Sequence, residues 1–443
     1  MTQRYVDQFE KFISGEAKSA PKWLNERRRA AIGSFATLGF PTTKNEDWHF
    51  TSVAPIAERE FTFVPTRSGD VTRDEIAQLG FGGAWHTAVF VNGRYAPELS
   101  DLDRLDPAVH VNALAHAPAE LTKQIGTILA DGDKQTFAAL NTAFMTDGIV
   151  IHVPKNVTVK QPIHVLFVTD AHAAKTVMYP RNLIVIERGA KATVIETFAA
   201  TGDASYFTNS VTEVSVGDGA TLEHYKLQRE SRRAFHVGTI EAKQERDSHY
   251  ISFSFATGAS LSRTNIYARL AGAGCGSTLN GLYMLDGEQH CDHQTKIEHI
   301  EPNCFSREVY KGVLDGRSHG VFNGKVYVHP EAQKTDGKQT NNTLLLSKEA
   351  QVDTKPQLEI FADDVKCTHG ATVGRLDEQA LFYMKSRGVD AETAKRLLIY
   401  AFAADVLEKL EQVELREGLE RNTLERFINT EVIPSEARNL QVV

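Results

Sequence analysis

Gly189-Ala-Lys-Ala-Thr-Val194 is echoed by Gly217-Asp-Gly-Ala-Thr-Leu222 and again by Gly274-Cys-Gly-Ser-Thr-Leu279. Between the last two, Arg246-Asp-Ser-His-Tyr-Ile251 fills the same slot without the glycine. The apolar positions that close the four motifs, 194, 222, 251 and 279, lie 28, 29 and 28 residues apart. A near-constant step of this size marks stacked structural units. Each unit is strand and turn, with no helical stretch between. Such units predict a mainly β fold, a β-solenoid or β-helix, in which each coil buries its apolar row on the next. A β-sandwich is the alternative, but it has no reason to keep a 28-residue step. Gly316–Val321 lies 42 residues after Leu279, which predicts an insertion or register change near 285–312.

Outward from this core the texture changes twice. Ile149–Val153, Ile163–Val168, Leu183–Ile186 and Thr193–Thr197 are short β-rich runs between turn residues, so the β region opens near Gly148. Before it, Tyr5, Phe9, Phe12 and Ile13 recur at helical spacing, and Trp23, Leu24, Ile32, Phe35 and Leu38 follow Pro21. Gly39-Phe40-Pro41 ends that helix. Asn92-Gly93 inside His86–Tyr95 predicts a hairpin, and Leu/Ala-rich 101–145 predicts further helix. After Gly374, Asp377 and Asp390 are helix caps, and Gly388 is a left-handed stop. Leu397, Leu398, Ala401, Phe402, Ala404 and Val406 form an apolar helix face. Glu408, Glu411, Glu414, Glu417 and Glu420 form a solvated one or an acidic docking surface. The expected organisation is 1–147 mainly helical with a small hairpin, 148–374 solenoid, and 375–443 helical.

The 443 residues carry 49 basic and 57 acidic side chains, a net charge of -8. That speaks against a chain devoted to nucleic acid. Four cysteines are too few for a disulfide framework, and the gaps between Cys275, Cys291, Cys304 and Cys367 are too wide for a metal knuckle. A reducing compartment is expected. Charges interrupt the first residues, and no stretch of 18 apolar residues exists, so neither an export signal nor a membrane span is expected.

No G-x-x-x-x-G-K-[ST] motif occurs; Gly324-Lys325 and Gly337-Lys338 continue with Val326 and Gln339. A phosphate-cradling loop is therefore missing. Gly272-Ala-Gly274 reads as a solenoid corner rather than a dinucleotide fingerprint. Two polar constellations remain. In His290-Cys291-Asp292-His293, with His299 and Cys304 nearby, alternate strand residues face opposite ways, so all four cannot bind one ion. In Asp363-Asp364-Val365-Lys366-Cys367-Thr368-His369-Gly370, Cys367 and His369 share one face about 7 Å apart. A thiolate and an imidazole suit iron, copper or zinc rather than magnesium. Two ligands are too few for a closed site, so another chain or a substrate must complete the shell. Cys367 as a small core residue and His369 as a turn residue are the structural alternative. Asp363 and Asp364 could serve a polysaccharide hydrolase or lyase, but adjacent strand residues cannot flank one glycosidic bond.

Three runs carry a family resemblance. They are Phe322-Asn-Gly-Lys-Val-Tyr-Val-His-Pro-Glu-Ala-Gln-Lys-Thr-Asp336, Asn341-Asn-Thr-Leu-Leu-Leu-Ser347, and Lys355-Pro-Gln-Leu-Glu-Ile-Phe-Ala-Asp-Asp-Val-Lys-Cys-Thr-His-Gly-Ala-Thr-Val-Gly374. Together they resemble the SufB/SufD family of iron–sulfur cluster assembly proteins. Pro41–Trp48 and Phe382–Val389 look like its SufD branch. So does the cysteine pattern, since SufB-like chains carry additional cysteines and Cys367 is the last one here. The resemblance implies a right-handed parallel β-helix between helical regions. It implies a non-catalytic, cytoplasmic scaffold subunit that pairs with SufB and binds the ATPase SufC through its C-terminal helices. It also implies that His369, with Cys367 nearby, helps hold a nascent iron–sulfur cluster at the SufB–SufD interface, with no cluster held tightly by the isolated chain. A chain without its partner could pair with itself. The competing classes are a stand-alone metal-binding solenoid and an exported β-helix carbohydrate enzyme.

Overall fold

The computed structural model describes residues 1–63, 69–129, 132 and 134–427; the end of the expected third region, 428–443, lies outside the described residues. Two long parallel sheets face each other. One contains Ile149–Val153, Arg181–Ile186, Phe207–Val216, Phe235–Gln244, Leu261–Leu270, His290–His299, His319–Val328 and Gln351–Ile360, in that spatial order. The second contains His86–Val91, Ile163–Thr169, Lys191–Ala200, Thr221–Arg229, His249–Ala256, Gly276–Leu285, Phe305–Leu314, Thr335–Leu345 and Val365–Gly374. The chain alternates between the sheets, so each strand pairs with the strand one full coil later. This is a β-solenoid of about eight coils.

The corners repeat as the strands do. Asn156, Gly189, Gly219, Asp247, Gly274, Asn303 and Lys334 all have a left-handed backbone, with φ between 55° and 76°. The N–H of each donates to a carbonyl one coil further on: Gly189 to Asp218, Gly219 to Arg246, Asp247 to Ala273, Gly274 to Pro302, Asn303 to Gln333 and Lys334 to Asp364. Glycine, Asn and Asp reach that conformation at least cost, which is why the quoted motifs carry glycine. Asp247 fills the slot that lacks it. Gly272-Ala-Gly274 is one of these corners, as expected.

The register corrects two sequence expectations. Val194 pairs with His224 rather than Leu222, Leu222 with Tyr250 rather than Ile251, and Ile251 with Thr278 rather than Leu279. The step is therefore not constant. It runs from 26, between Phe235 and Leu261, to 33, between Val150 and Leu183. Turn lengths absorb the difference, and a one-residue slip sends a side chain to the opposite face. No insertion interrupts 285–312: His290–His299 and Phe305–Leu314 are regular strands. The turn at Gly316 belongs to the other corner of the coil, leading from the second sheet into the first, so it was never a register mate of Leu279.

The lumen is apolar over much of its length, with Val194, Leu222, Ile240, Tyr250, Ile266, Ile297 and Phe322 all buried. Strand residues of the opposite parity are covered from outside, so the strands read as nearly continuous apolar runs. N-terminal helices Thr2–Ser14 and Lys22–Leu38 and helix Thr136–Phe144 lie on the first sheet; Tyr5, Phe9, Phe12, Ile13, Ile32 and Phe35 join Phe207, Phe235 and Leu261. Leu38 is instead exposed. Helices Ala391–Leu407 and Val413–Phe427 lie on the second sheet. Their buried face is Ile399, Ala403, Val406 and Leu407, then Leu415 and Leu419, against Tyr225, Phe253, Leu282 and Val313. That face is rotated from the expected one: Leu397 and Ala401 point outward. The glutamate row is interrupted too, because 408–412 separates the two helices. Segment 101–145 holds less helix than expected. His110–Ala113 is a strand antiparallel to Ile149–Val153, and among the described residues of this segment only Ala119–Thr122 and Thr136–Phe144 are α-helical. Asn92 (φ 49°) and Gly93 (φ 78°) make the hairpin turn as expected.

One buried ion pair ties the N-terminal region to the stack. Arg181 and Glu213 meet at 2.7 Å with neither side chain exposed. Arg181 also donates to Asn141 Oδ1 and Thr142 Oγ1, and Glu213 accepts the Gly126 and Ile128 N–H groups. Removing one member strands a charge away from water. Arg181→Met is expected to lower stability by about 3–5 kcal/mol, read as a shift of the urea transition. A shift no larger than that of an exposed Arg→Met change would show that the pair is dispensable.

Candidate metal-ligand site at the open end of the stack

A parallel stack leaves its terminal strands half paired. At the N-terminal end, antiparallel strands Arg94–Tyr95 and His110–Ala113 close the sheets. At the other end Gln351–Ile360 pairs with His319–Val328, and Val365–Gly374 with Thr335–Leu345. Among the described residues neither has a neighbour on its far side. Val365–Gly374 is exposed along most of its length.

Cys367 and His369 both lie on this last strand. Cys367 pairs with Gly337 and His369 with Gln339. Following the register backwards, both columns face the lumen: Cys367 continues Gly337, Ser306, Ser277, Tyr250 and Leu222, and His369 continues Gln339 and Glu308. Cys367 is half-buried beside Val326, Val328, Ala332 and Ala362. A Cβ added at Gly337 would sit 3.3 Å from its Sγ, so the glycine makes room for the thiol. Burial pushes that thiol up from its ordinary range, which favours neutral SH until a metal or cation arrives. His369 is exposed. The strand thus presents a soft donor pair at the mouth of the lumen. Among the described residues no group of three or more His, Cys, Asp or Glu is placed to hold a metal ion.

The other constellation divides as alternation requires. His290 and Asp292 face the N-terminal segment. His290 Nε2 donates to Thr51 Oγ1 at 2.9 Å, Thr51 Oγ1 donates to Asp292 Oδ2 at 2.6 Å, and Arg263 pairs with Asp292 at 2.7 Å. Cys291 Sγ and His293 Nδ1 lie 3.7 Å apart in the lumen. Burial pushes the Cys291 thiol up to about 12 and the His293 imidazole down to about 4. His299 bonds Ser306. Cys304 turns instead to Cys275; both thiols donate to the Gly272 carbonyl. Asp364 sits at a corner, its carbonyl accepting from Lys334.

The sequence reading missed the polar furnishing of the lumen. Lys226 Nζ donates to His236 Nε2 at 2.6 Å, and His236 Nδ1 lies 2.7 Å from Glu230. Glu196 meets His224 at 3.0 Å. Burial pushes the Lys226 ammonium down to about 8. Nearer the mouth, Glu308 accepts from Gln339 Nε2 at 2.6 Å. The signal was present as register: Glu196 and Lys226, or Glu308 and Gln339, are one coil apart.

Comparison with known proteins agrees with this architecture. Residues 167–402 match the SufBD core domain of the SUF system for FeS cluster assembly, and residues 1–165 match the SufBD protein N-terminal region. The chain belongs to the SufBD family. It is 34% identical over 403 residues to the iron–sulfur cluster assembly protein SufD of Escherichia coli, covering 88% of this chain and 89% of that one. It is 33% identical over 404 residues to an iron–sulfur cluster assembly SufBD family protein of Synechocystis, covering 89% of each chain. It is 31% identical to a chloroplastic protein of Arabidopsis thaliana, ABCI7, covering 89% of this chain and 84% of that one. No helix among the described residues is long and apolar enough to cross a membrane.

Glu308 gives this end of the lumen a pH dependence. Burial pushes its carboxyl up to about 7, against the opposing pull of Thr295 and Gln339. The folded chain therefore keeps a proton that the unfolded chain has already released. Its contribution is fully present below the ordinary carboxylate range and is lost as pH rises towards 7. Glu308→Gln is expected to gain stability over the parent near pH 8, but not near pH 4. Urea transitions at the two pH values check this, and parallel pH dependence in both proteins contradicts it.

Proposed function

We propose that this chain is a non-catalytic scaffold subunit of the SUF assembly, paired with a SufB chain through the open end of its solenoid. A nascent iron–sulfur cluster is built where the two chains meet. The observation that carries this reading is the placement of Cys367 and His369, two soft donors on one face of a strand whose outer edge has no partner among the described residues. A half-paired edge invites a second chain, and an incomplete donor set needs one. Each demand is met by the same event. Ferrous iron and sulfide are cargo in this scheme.

The same reading gives the C-terminal region, 375–443, to the ATPase SufC. Helix Glu378–Ser386 buries none of its residues and leaves Phe382 and Tyr383 75% and 59% exposed. Helix Ala391–Leu407 is clamped to the second sheet through Lys311, whose ammonium meets Asp405 at 2.7 Å and the Phe402 carbonyl at 2.9 Å. ATP-driven closure of two SufC subunits would pull on the two helical tails and shift the SufB–SufD contact, a rigid-body switch. Fuel is burned on that partner, in keeping with the missing phosphate loop here. The organisation into 1–147, 148–374 and 375–443, and a cytoplasmic setting, belong to this proposal.

Co-expression with SufB and SufC chains followed by cluster assembly from ferrous iron and sulfide is the test. His369→Ala is expected to abolish cluster formation while the complex still assembles. Cys367→Ser is expected to weaken it less. Normal cluster yield from the His369→Ala complex would end the proposal.

A further inference from the structure

The lumen column behind His369 holds a fixed amide with one unused atom. Gln339 is 2% exposed and is the register neighbour of His369 on the same face. Its Nε2 donates to Glu308 Oε2 at 2.6 Å. The amide group lies over Gly324, where any Cβ would collide with Gln339 Nε2. The nitrogen end is thus committed and its place is set by the opposite sheet. The oxygen end is not: Gln339 Oε1 is buried with no hydrogen-bond partner. A buried acceptor without a donor keeps its full desolvation cost, so such an atom calls for a donor. The strand that bears His369 is the next one out, about 5 Å away.

We infer that Gln339 is a positioning residue for His369. When the exposed imidazole turns in over the mouth of the lumen, one ring N–H meets the open Oε1; that bond fixes the ring tautomer and turns the other nitrogen, with its lone pair, towards the partner chain. Metal-binding histidines generally donate their second ring N–H to such an acceptor, which both orients the ring and raises its basicity. Glu308 acts one step further back by holding the amide nitrogen, so that the oxygen faces the open edge. This inference rests on the proposed role of His369, and its test separates the two.

The test uses the full-length isolated chain labelled with 15N-histidine. His369 ring signals are identified by their loss in His369→Ala, and each variant is checked for an unchanged melting transition. The parent is expected to show one dominant His369 tautomer. Gln339→Leu is expected to give the rapidly averaged tautomer mixture of a free imidazole. An averaged ring in the parent or an unchanged ring in Gln339→Leu overturns the inference. In the assembled complex, Gln339→Leu is expected to slow cluster formation from ferrous iron and sulfide about tenfold without weakening association. If the tautomer responds as expected while His369→Ala retains full cluster yield, Gln339 still positions the ring and the site's proposed use is wrong.

Discussion

A parallel stack satisfies every strand except its last. Within this solenoid each backbone group is met by the coil before and the coil after, and each left-handed corner is locked to the next by one N–H bond. The ladder cannot close on itself as a barrel does. It has to be capped, or left open. Here the N-terminal end is capped by antiparallel strands, and among the described residues the C-terminal end is not. Antiparallel pairing turns the hydrogen-bonding edge back on the same chain, whereas the open end keeps its donors and acceptors available to another.

The same geometry explains why the lumen can be polar without collapsing. Residues stacked one coil apart lie within hydrogen-bond reach, so a buried charge at one level meets its partner at the next. Glu196 and His224, Glu230 and His236, and Lys226 between them are fully buried yet share their charge locally. An unpaired member would carry the full cost of desolvation. Such groups therefore constrain the register more tightly than apolar residues do, because an apolar column tolerates a slipped neighbour and a charged one does not. The Arg181–Glu213 pair does this on the outer face, where it also fixes the N-terminal segment.

Much of the fold was legible in the sequence. The corner motif repeats because a left-handed backbone selects glycine, and the period it traced was enough to name a stacked fold. The register was not legible. Pairing depends on how many residues each turn absorbs, and Asp247, Asn303 and Lys334 fill glycine's corner position without announcing it. The apparent break after Leu279 came from comparing opposite corners of the coil. On the site, alternation alone separated His290 and Asp292 from Cys291 and His293, as the structure does. It also put Cys367 and His369 on one face. Glu308 and Gln339 could not be found that way, because their meaning lies in a partner some thirty residues distant. Lumen chemistry of this kind becomes readable only after the coil register is known. The buried face of Ala391–Leu407 was missed for a related reason: the surface it packs on, not its own periodicity, decided which residues turned inward.

A donor pair at a half-paired edge has a consequence for control. A closed four-ligand site inside one chain would bind metal whether or not a partner were present. Two donors on an exposed strand bind weakly alone, because chelation supplies most of the affinity of a soft-metal site. Under the proposed pairing, affinity would appear only when the second chain brings its own ligands, and would vanish when the chains shift. Cargo that must be built and then released is best held by such a shared shell. In the proposed assembly the rigid parts of the molecule would serve that end: the capped N-terminal coils and the helix-covered sheets hold the last strand in place, leaving the contact between chains as the part free to move.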